Sequence, residues 1–458
     1  MQERIDGIVV RPARKTRGPS KNPNRKPRKK PRKLQEFAAT LEGYEFDFFV
    51  NLDIAVINDL KDEISTIKDV RDESYVWHKL VDVILMTLFA VMANCDQWYQ
   101  IPLFAKAHRE WFDTFLSLPN GIPTDSAIET IISKIDTKKL NSVVLSFLIN
   151  RIEQRIRENG TNEDCDIADE KPINSLDGKG SRSSKRKSTD QKDGHAALNT
   201  LNAYSSEYGM NIAQEFIPNK KSEIEYAPKL LGNIDIKGAI VTTDALNTQV
   251  KTVEAIIDGG GDYVLPVKGN HPTLYGDLKV VFDENRMNEI RNESDNDKNY
   301  KITEEREHGE TVTREYFLLP KNKDLYNIDL WKGLETIGLE HKTIIKTDQK
   351  TKAPVTSNED RYFISSLNSM NDFSRAVRGH WGVEALHWQL DYTFHDDQNK
   401  TMAGKGAEGL QIFKKLALNI LKIVQAVSPK QISISKLRFM LSLSYEDMIG
   451  NILNLLAD

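Results

Sequence analysis

The chain has 458 residues, 39% hydrophobic and 28% charged, which allows two or three soluble domains with cores of ordinary size. Its two cysteines, Cys95 and Cys165, exclude a disulfide framework or a cysteine zinc site and predict a reducing compartment. The longest apolar run, Val83–Ala93, is too short to span a bilayer, and the N-terminus lacks the apolar stretch of a secretory signal, so a cytoplasmic protein without a membrane partner is expected.

The formal net charge of −4 hides an asymmetry. Residues 11–33 hold twelve of the 63 Lys and Arg and none of the 67 acids, so the segment is +12 and the remainder is 51 − 67 = −16. Five prolines (Pro12, Pro19, Pro23, Pro27, Pro31) oppose a helix there. Residues 1–35 therefore read as a disordered basic arm for a phosphate backbone, with a solubility or targeting tail as the plainer alternative.

Residues 36–157 form the next unit. Its first forty residues interleave apolar and acidic side chains without a clear period. From Tyr75 onward apolar residues recur at helical steps, and GIPTDSAIETII supplies a turn and a helix start with Thr124 as cap. Short helices with tight turns suit a DNA-binding domain or a plain helical bundle, and spacing alone leaves both open. The polar stretch 159–172 marks a boundary.

Beyond it the period changes. Ile173–Leu176 predicts a short strand ending at Asp177-Gly178-Lys179, and a very polar loop follows from Gly180 to Gly194. Two strands (Ala196–Tyr204, Met210–Ile217), a helix (Ser222–Leu231), a buried strand (Ala239–Thr243) ending in Asp244, a helix (Asn247–Ile257) and the strand in DYVLPVK come next. An antiparallel hairpin extended by parallel strands is the order of a ribonuclease-H-like α/β sheet, here assigned to residues 170–425. Several β-type runs between about 290 and 367 read as a β-rich insertion, and residues 426–458 as a helical tail.

Val377–Asp397 (VRGHWGVEALHWQLDYTFHDD), taken as one helix, places His380, Glu384, His387 and Asp391 on one stripe and Trp381, Ala385, Trp388 and Tyr392 on the next. The first stripe is ionisable without a lysine, and the tryptophans predict burial along the neighbouring side. A simple amphipathic helix with an acidic outer face is the alternative. In a ribonuclease-H-like sheet Asp177 and Asp244 lie on neighbouring strands, and a late helix can add Glu384. Converging carboxylates repel unless cations lie between them, and oxygen ligands suit Mg²⁺, with Mn²⁺ as substitute. Asp391 shares Glu384's face and is the alternative third acid. The histidines suggest zinc only weakly, since there is no HExxH and no nearby cysteine. Lys179, Lys268, Asn270, Arg378, His380 and His387 are candidate DNA contacts, against plainer readings as loop, strand-end and capping residues.

DGK at 177–179, KKSEIEYAPKLL, KGAIVTTDAL, GGDYVLPVKGN, RYFISSL and the Val377–Asp397 block resemble, in order, the core blocks of DDE transposases of bacterial insertion sequences. The group resembled is the ISAs-one group, with the H-repeat-associated proteins, and the likeness runs from about residue 55 to 425. The resemblance implies that Asp177, Asp244 and Glu384 are a catalytic, Mg²⁺-holding triad. It further implies binding to terminal inverted repeats, cleavage there, joining of the 3′-hydroxyls to target DNA, a homo-oligomer on DNA, and a bacterial, nucleoid-associated location. The broader IS-four superfamily has Tyr and Arg before the glutamate and Lys seven residues after it, where this chain has Val377, His380 and Asp391. A nuclease that does not join strands, or an inactive DNA-binding derivative, are the alternatives on the same fold.

Overall fold

The computed structural model describes residues 4–5, 8–9, 31–41, 54–159, 170–185, 197–293, 298–307, 310–348, 353–399, 401, 404–428 and 432–443. Most of the basic arm, residues 160–169 of the boundary, the end of the polar loop and the last residues of the tail lie outside them.

Within the arm read as disordered, Arg4–Ile5 pairs antiparallel with Ile8–Val9; the described chain that follows is helical: α1 (Arg32–Ala39), α2 (Ile54–Ser65), α3 (Leu80–Met92), α4 (Gln100–Ala107), α5 (Arg109–Asp113), α6 (Asp125–Ile132) and α7 (Thr137–Asn159). The long apolar run becomes α3, buried from Asp82 to Met92. Thr124 caps α6 by accepting from the Ala127 N–H at 3.2 Å. The arm's predicted extent is corrected at its end. Arg32 and Lys33 open α1, and they pair with Glu207 and Glu153, so the last two of the twelve cations are already engaged.

The second part is one mixed nine-stranded sheet flanked by helices. Its strands are β1 (Ile173–Ser181), β2 (Leu198–Ser205), β3 (Met210–Ile217), β4 (Ile240–Thr243), β5 (Asp262–Val267), β6 (Tyr300–Glu307), β7 (Glu310–Pro320), β8 (Thr336–Thr347) and β9 (Pro354–Ser365). They lie in the order β3-β2-β1-β4-β5-β9-β8-β7-β6. β1 runs parallel to β4, and β4 to β5, while β9 joins β5 antiparallel. The β-type runs after residue 290 thus continue the sheet as antiparallel hairpins, with no break from β5.

β-strand alternation sorts the two faces. Leu176, Val241 and Leu265 pack with α8 (Glu223–Leu231), α9 (Val250–Asp258) and α10 (Pro272–Val281), next to which lies α11 (Glu284–Asn292). Ile173, Ile240 and Val264 pack with α12 (Met370–Gly379) on the other face. That face also carries α13 (Trp381–Thr393), whose Val383, Leu386 and Leu390 share a core with the helical part, α14 (Lys405–Val427) and α15 (Ile434–Leu443).

Three local expectations need correction. β1 does not end at Leu176. It stays paired to β2 through Ser181, so Asp177-Gly178 lies inside a strand and is no turn. Val377–Asp397 is not one helix: α12 and α13 meet at His380, and α13 stops at Thr393, shortly before His395 takes a left-handed φ of 49°. The aromatic stripe is not buried. Trp388 and Tyr392 are 61% and 64% exposed and stack on each other with ring centroids 4.9 Å apart.

Candidate active site

The parallel ladder between β1 and β4 runs from Ile173↔Ile240 to Leu176↔Thr243, which makes Asp177 and Asp244 the next residues on the two strands. β4 ends there because Asp244 turns its carboxylate onto the following 3₁₀ turn, accepting from the Asn247 N–H at 3.1 Å and from Asn247 Nδ2 at 2.8 Å. Burial raises the Asp244 pKa above the ordinary carboxylate value, and the charge of Asp177 adds to the rise.

Asp177 is held by a chain of side chains that begins on α14. Lys415 Nζ donates to Asn202 Oδ1 at 2.6 Å, which turns Asn202 Nδ2 toward His387 Nε2 at 3.0 Å. The imidazole proton then sits on Nδ1, 3.4 Å from Asp177 Oδ2. Burial opposes the Asp177 charge, but the hydrogen bond from His387, aided by the Gly178 N–H, outweighs it and holds the pKa below the ordinary value.

His380 sits at the helix junction. The Thr242 hydroxyl donates to Ser175 Oγ at 3.0 Å and so accepts from His380 Nδ1, also at 3.0 Å. Burial pushes this imidazole down to about 4, so it is neutral near pH 7 with Nε2 as an acceptor. Glu384 lies in the first turn of α13 and is exposed. Partial burial and then the charge of Asp177 raise its pKa, with Arg361, His387 and Lys268 acting the other way. Glu384 therefore lies in the field of Asp177.

Asp391 is placed elsewhere, bound by Lys179. Lys179 is itself buried, 3.1 Å from Asp396 and 3.9 Å from Asp397, so it is not presented to a DNA backbone as its sequence position suggested. Arg378 pairs with Glu305 at 2.7 Å. Asn270 does not cap α10, since His271 holds that position; its Nδ2 instead donates to Ala245 O at 2.6 Å and ties down the loop beyond Asp244. Lys268 is exposed beside Glu384's field. His380 and His387 face neighbouring side chains of the sheet, Thr242, Asn202 and Asp177.

Sequence reading missed a fourth acid. Glu223, the first residue of α8, is 2% exposed. Burial and then the charge of Asp244 push its pKa up to about 7. Its position depends on Gly178, because a Cβ there would lie 2.1 Å from Glu223 Oε1. The signal in the sequence was the Asp177-Gly178 pair: a glycine inside a strand marks a close approach as well as a turn.

Among the described residues no three His, Cys, Asp or Glu side chains form a group able to hold a metal ion as they stand. The chemistry of the acids nevertheless fits a hard divalent cation. The donors are carboxylate oxygens, and mutual repulsion contributes to the raised pKa values of Asp244, Glu384 and Glu223.

Residues 168–420 match the transposase DDE domain, and residues 61–148 match the domain associated with it. "Putative transposase YncI" of Escherichia coli O157:H7 is 30% identical over 369 residues, covering 80% of this chain and 88% of that protein. "H repeat-associated putative transposase YhhI" of Escherichia coli K12 is 31% identical over 367 residues, covering 79% and 90%. Among solved structures, a piggyBac transposase synaptic complex with hairpin DNA aligns over 90% of this chain and 80% of that one. Its TM-score of 0.31 and identity of 10% are too low to bear on the fold.

Proposed function

The chain belongs to the family of transposases that carry the DDE domain, and from that premise we propose that it cleaves DNA at the ends of an insertion sequence and joins the freed 3′-hydroxyls to target DNA. The observation that carries this reading is the placement of Asp177 and Asp244 on adjacent parallel strands, with Glu384 in the field of Asp177 from a helix on the same face. The strand order β3-β2-β1-β4-β5 supports a ribonuclease-H-like catalytic domain, whose sheet is extended by β6–β9.

Asp177, Asp244 and Glu384 would hold Mg²⁺, with Mn²⁺ as substitute, and the ions when bound would activate the nucleophile and stabilise charge during in-line phosphoryl transfer. The protein's own part is to fix the acids beforehand. His387, set by Asn202 and Lys415, keeps Asp177 ionised and oriented. The neutral His380 offers Nε2 as an acceptor, which suits a hydrogen bond from attacking water or a 3′-hydroxyl better than a phosphate contact. Asp391 is taken up by Lys179, which favours Glu384 as the third acid. Of the candidate DNA contacts, Lys268 is retained as a backbone contact. Residues 36–157 are assigned to recognition of the terminal inverted repeats, the arm to general affinity for DNA, and a homo-oligomer to the complex with two ends.

The test supplies precut element ends and a target plasmid to the purified protein in Mg²⁺. Joined product that disappears in Asp177→Asn is the expected result. Normal nicking of uncut ends with no joined product would replace transposition by simple DNA cleavage.

A further inference from the structure

The catalytic reading accounts for three acids and leaves Glu223 without a task. Its surroundings make a purely structural role costly. A buried carboxylate is normally matched by a cation or by several donors, because removing an uncompensated charge from water costs several kcal/mol. Glu223 forms no ion pair with Lys or Arg among the described residues, although Lys220 acts on it from a distance. Its described hydrogen bond comes from Asn247 Nδ2 at 3.1 Å, and the same nitrogen also donates to Asp244 Oδ1 at 2.8 Å. One amide group thus gathers two carboxylates, one from α8 and one from the end of β4.

Two further observations point to something bound between these groups. Asn247 is fully buried, yet its Oδ1 has no hydrogen-bond partner among the described residues, so the amide that gathers the two carboxylates keeps its own acceptor unused. Gly178, the neighbour of Asp177, leaves the space into which the Glu223 carboxylate fits. Any side chain at 178 would push Glu223 away, the nearest approach of a Cβ being 2.1 Å. The strand therefore gives up a side chain beside Asp177 to admit an acid from the opposite face of the sheet. A glutamine would keep most of the shape and an acceptor for Asn247 without the cost of burying a charge.

We propose that Glu223 is a fourth carboxylate of the catalytic centre, holding a divalent cation together with Asp177 and Asp244. Asn247 positions Glu223 and Asp244 for this task. The proposal rests on the metal-dependent reading given above, and the experiment separates the two.

Mn²⁺ binding to the full chain is measured by isothermal titration and by the electron paramagnetic resonance signal of free Mn²⁺, with no DNA present. Wild type, Glu223→Gln and Asp177→Asn are compared, with circular dichroism as the check on folding. Glu223→Gln is expected to fold as wild type and to bind Mn²⁺ about tenfold or more weakly, or with one ion fewer. Without a cation its melting temperature should rise, because one of several repelling carboxylates has been neutralised. Mn²⁺ affinity within twofold of wild type would overturn the proposal and leave Glu223 as packing for Gly178. If Glu223→Gln does not fold, Glu223→Asp takes its place: retracting the carboxylate by one methylene should weaken binding at least threefold, and unchanged affinity overturns the proposal. A wild-type protein that binds no Mn²⁺ would overturn the metal-dependent reading together with this one, whereas wild-type binding with an unaffected Glu223→Gln removes this one alone.

Discussion

Two groups of acids lie along the same strand and the same helix, and their charges are balanced in different ways. On β1 they are set two residues apart, at Asp177 and Lys179, hence on one face. Around Lys179, each acid has partners. Lys179 bonds Asp391 and sits 3.1 Å from Asp396, which also accepts from Ser181 Oγ at 2.9 Å and Gln411 Nε2 at 3.3 Å. Around Asp177, neither it nor Asp244, Glu223 or Glu384 pairs with Lys or Arg among the described residues; what faces Asp177 Oδ2 is the Nδ1–H of His387, at 3.4 Å. The electrostatics follow. Asp396 is held low, with Lys414 and Lys179 outweighing its burial, whereas Asp244, Glu223 and Glu384 are raised by burial and by the charge of Asp177, with Asp244 acting more strongly than Asp177 on Glu223. A compensated cluster joins β1 to the end of α13. An uncompensated one costs stability and is retained where charge has work to do.

The largest expected effect comes from Asp177→Asn. It removes a charge and almost no volume, so cleavage should fall at least about a thousandfold, equivalent to roughly 4 kcal/mol, while DNA binding measured by gel shift is kept. Substituting the other cluster should do the reverse. Lys179→Met leaves Asp396 buried without its nearest cation and should cost about 3 kcal/mol in urea unfolding. Its cleavage rate per folded molecule should stay far closer to wild type. Equal effects of the two substitutions on stability would erase the distinction between the clusters.

An uncompensated acid centre repels a phosphate backbone, so cations elsewhere must bring DNA to it. Deleting residues 1–30 should weaken DNA binding roughly tenfold near 0.1 M salt and flatten its salt dependence, while preference for the element's ends persists. Loss of that preference would move recognition from the folded helical region into the arm.

The smallest effect concerns a scaffold charge far from the acids. Lys422 donates to Gly209 O at 2.8 Å and lies over the Tyr204 ring, and burial lowers its pKa to about 7. The unfolded chain therefore binds more protons than the folded one between about pH 7 and the ordinary lysine value. Stability should rise with pH in that window, and the contribution of Lys422 should be lost as pH falls through about 7. Allowing for the part of this side chain that stays exposed, the expected rise between pH 7 and 9 is on the order of 1 kcal/mol. Lys422→Met should reduce that slope in denaturation curves taken across the range.

The order of elements was legible because strands such as β4 and β5 are short apolar runs bounded by turn residues, and helices such as α3 and α14 carry sustained apolar patterns. Asp177 and Asp244 could be placed on neighbouring strands for the same reason. Three features were not legible. Local sequence does not say that Asp177-Gly178 continues a strand, since that depends on pairing with Asn202 and Leu201 across the hairpin. It does not separate Glu384 from Asp391, which share a helix face, although Lys179 takes up Asp391 and Glu384 lies in the field of Asp177. Nor does it show Glu223 beside the site. An acid in the first turn of a helix usually serves the helix dipole, and only the space left by Gly178 reveals its second neighbour. The exposed Trp388–Tyr392 stack belongs with these: aromatic residues at helical spacing usually mark a core, and here the core side of α13 is formed by Val383, Leu386 and Leu390.

The most direct test of the account is cleavage, in Mg²⁺, of a duplex carrying the element's own end, with wild type, Glu384→Gln and Asp391→Asn measured side by side. The account predicts a nick at the element's 3′ end by wild type, at a similar rate by Asp391→Asn, and none by Glu384→Gln although it still binds the DNA. A wild-type protein that binds the end and leaves it uncut, or a Glu384→Gln variant that cuts while Asp391→Asn does not, would contradict it.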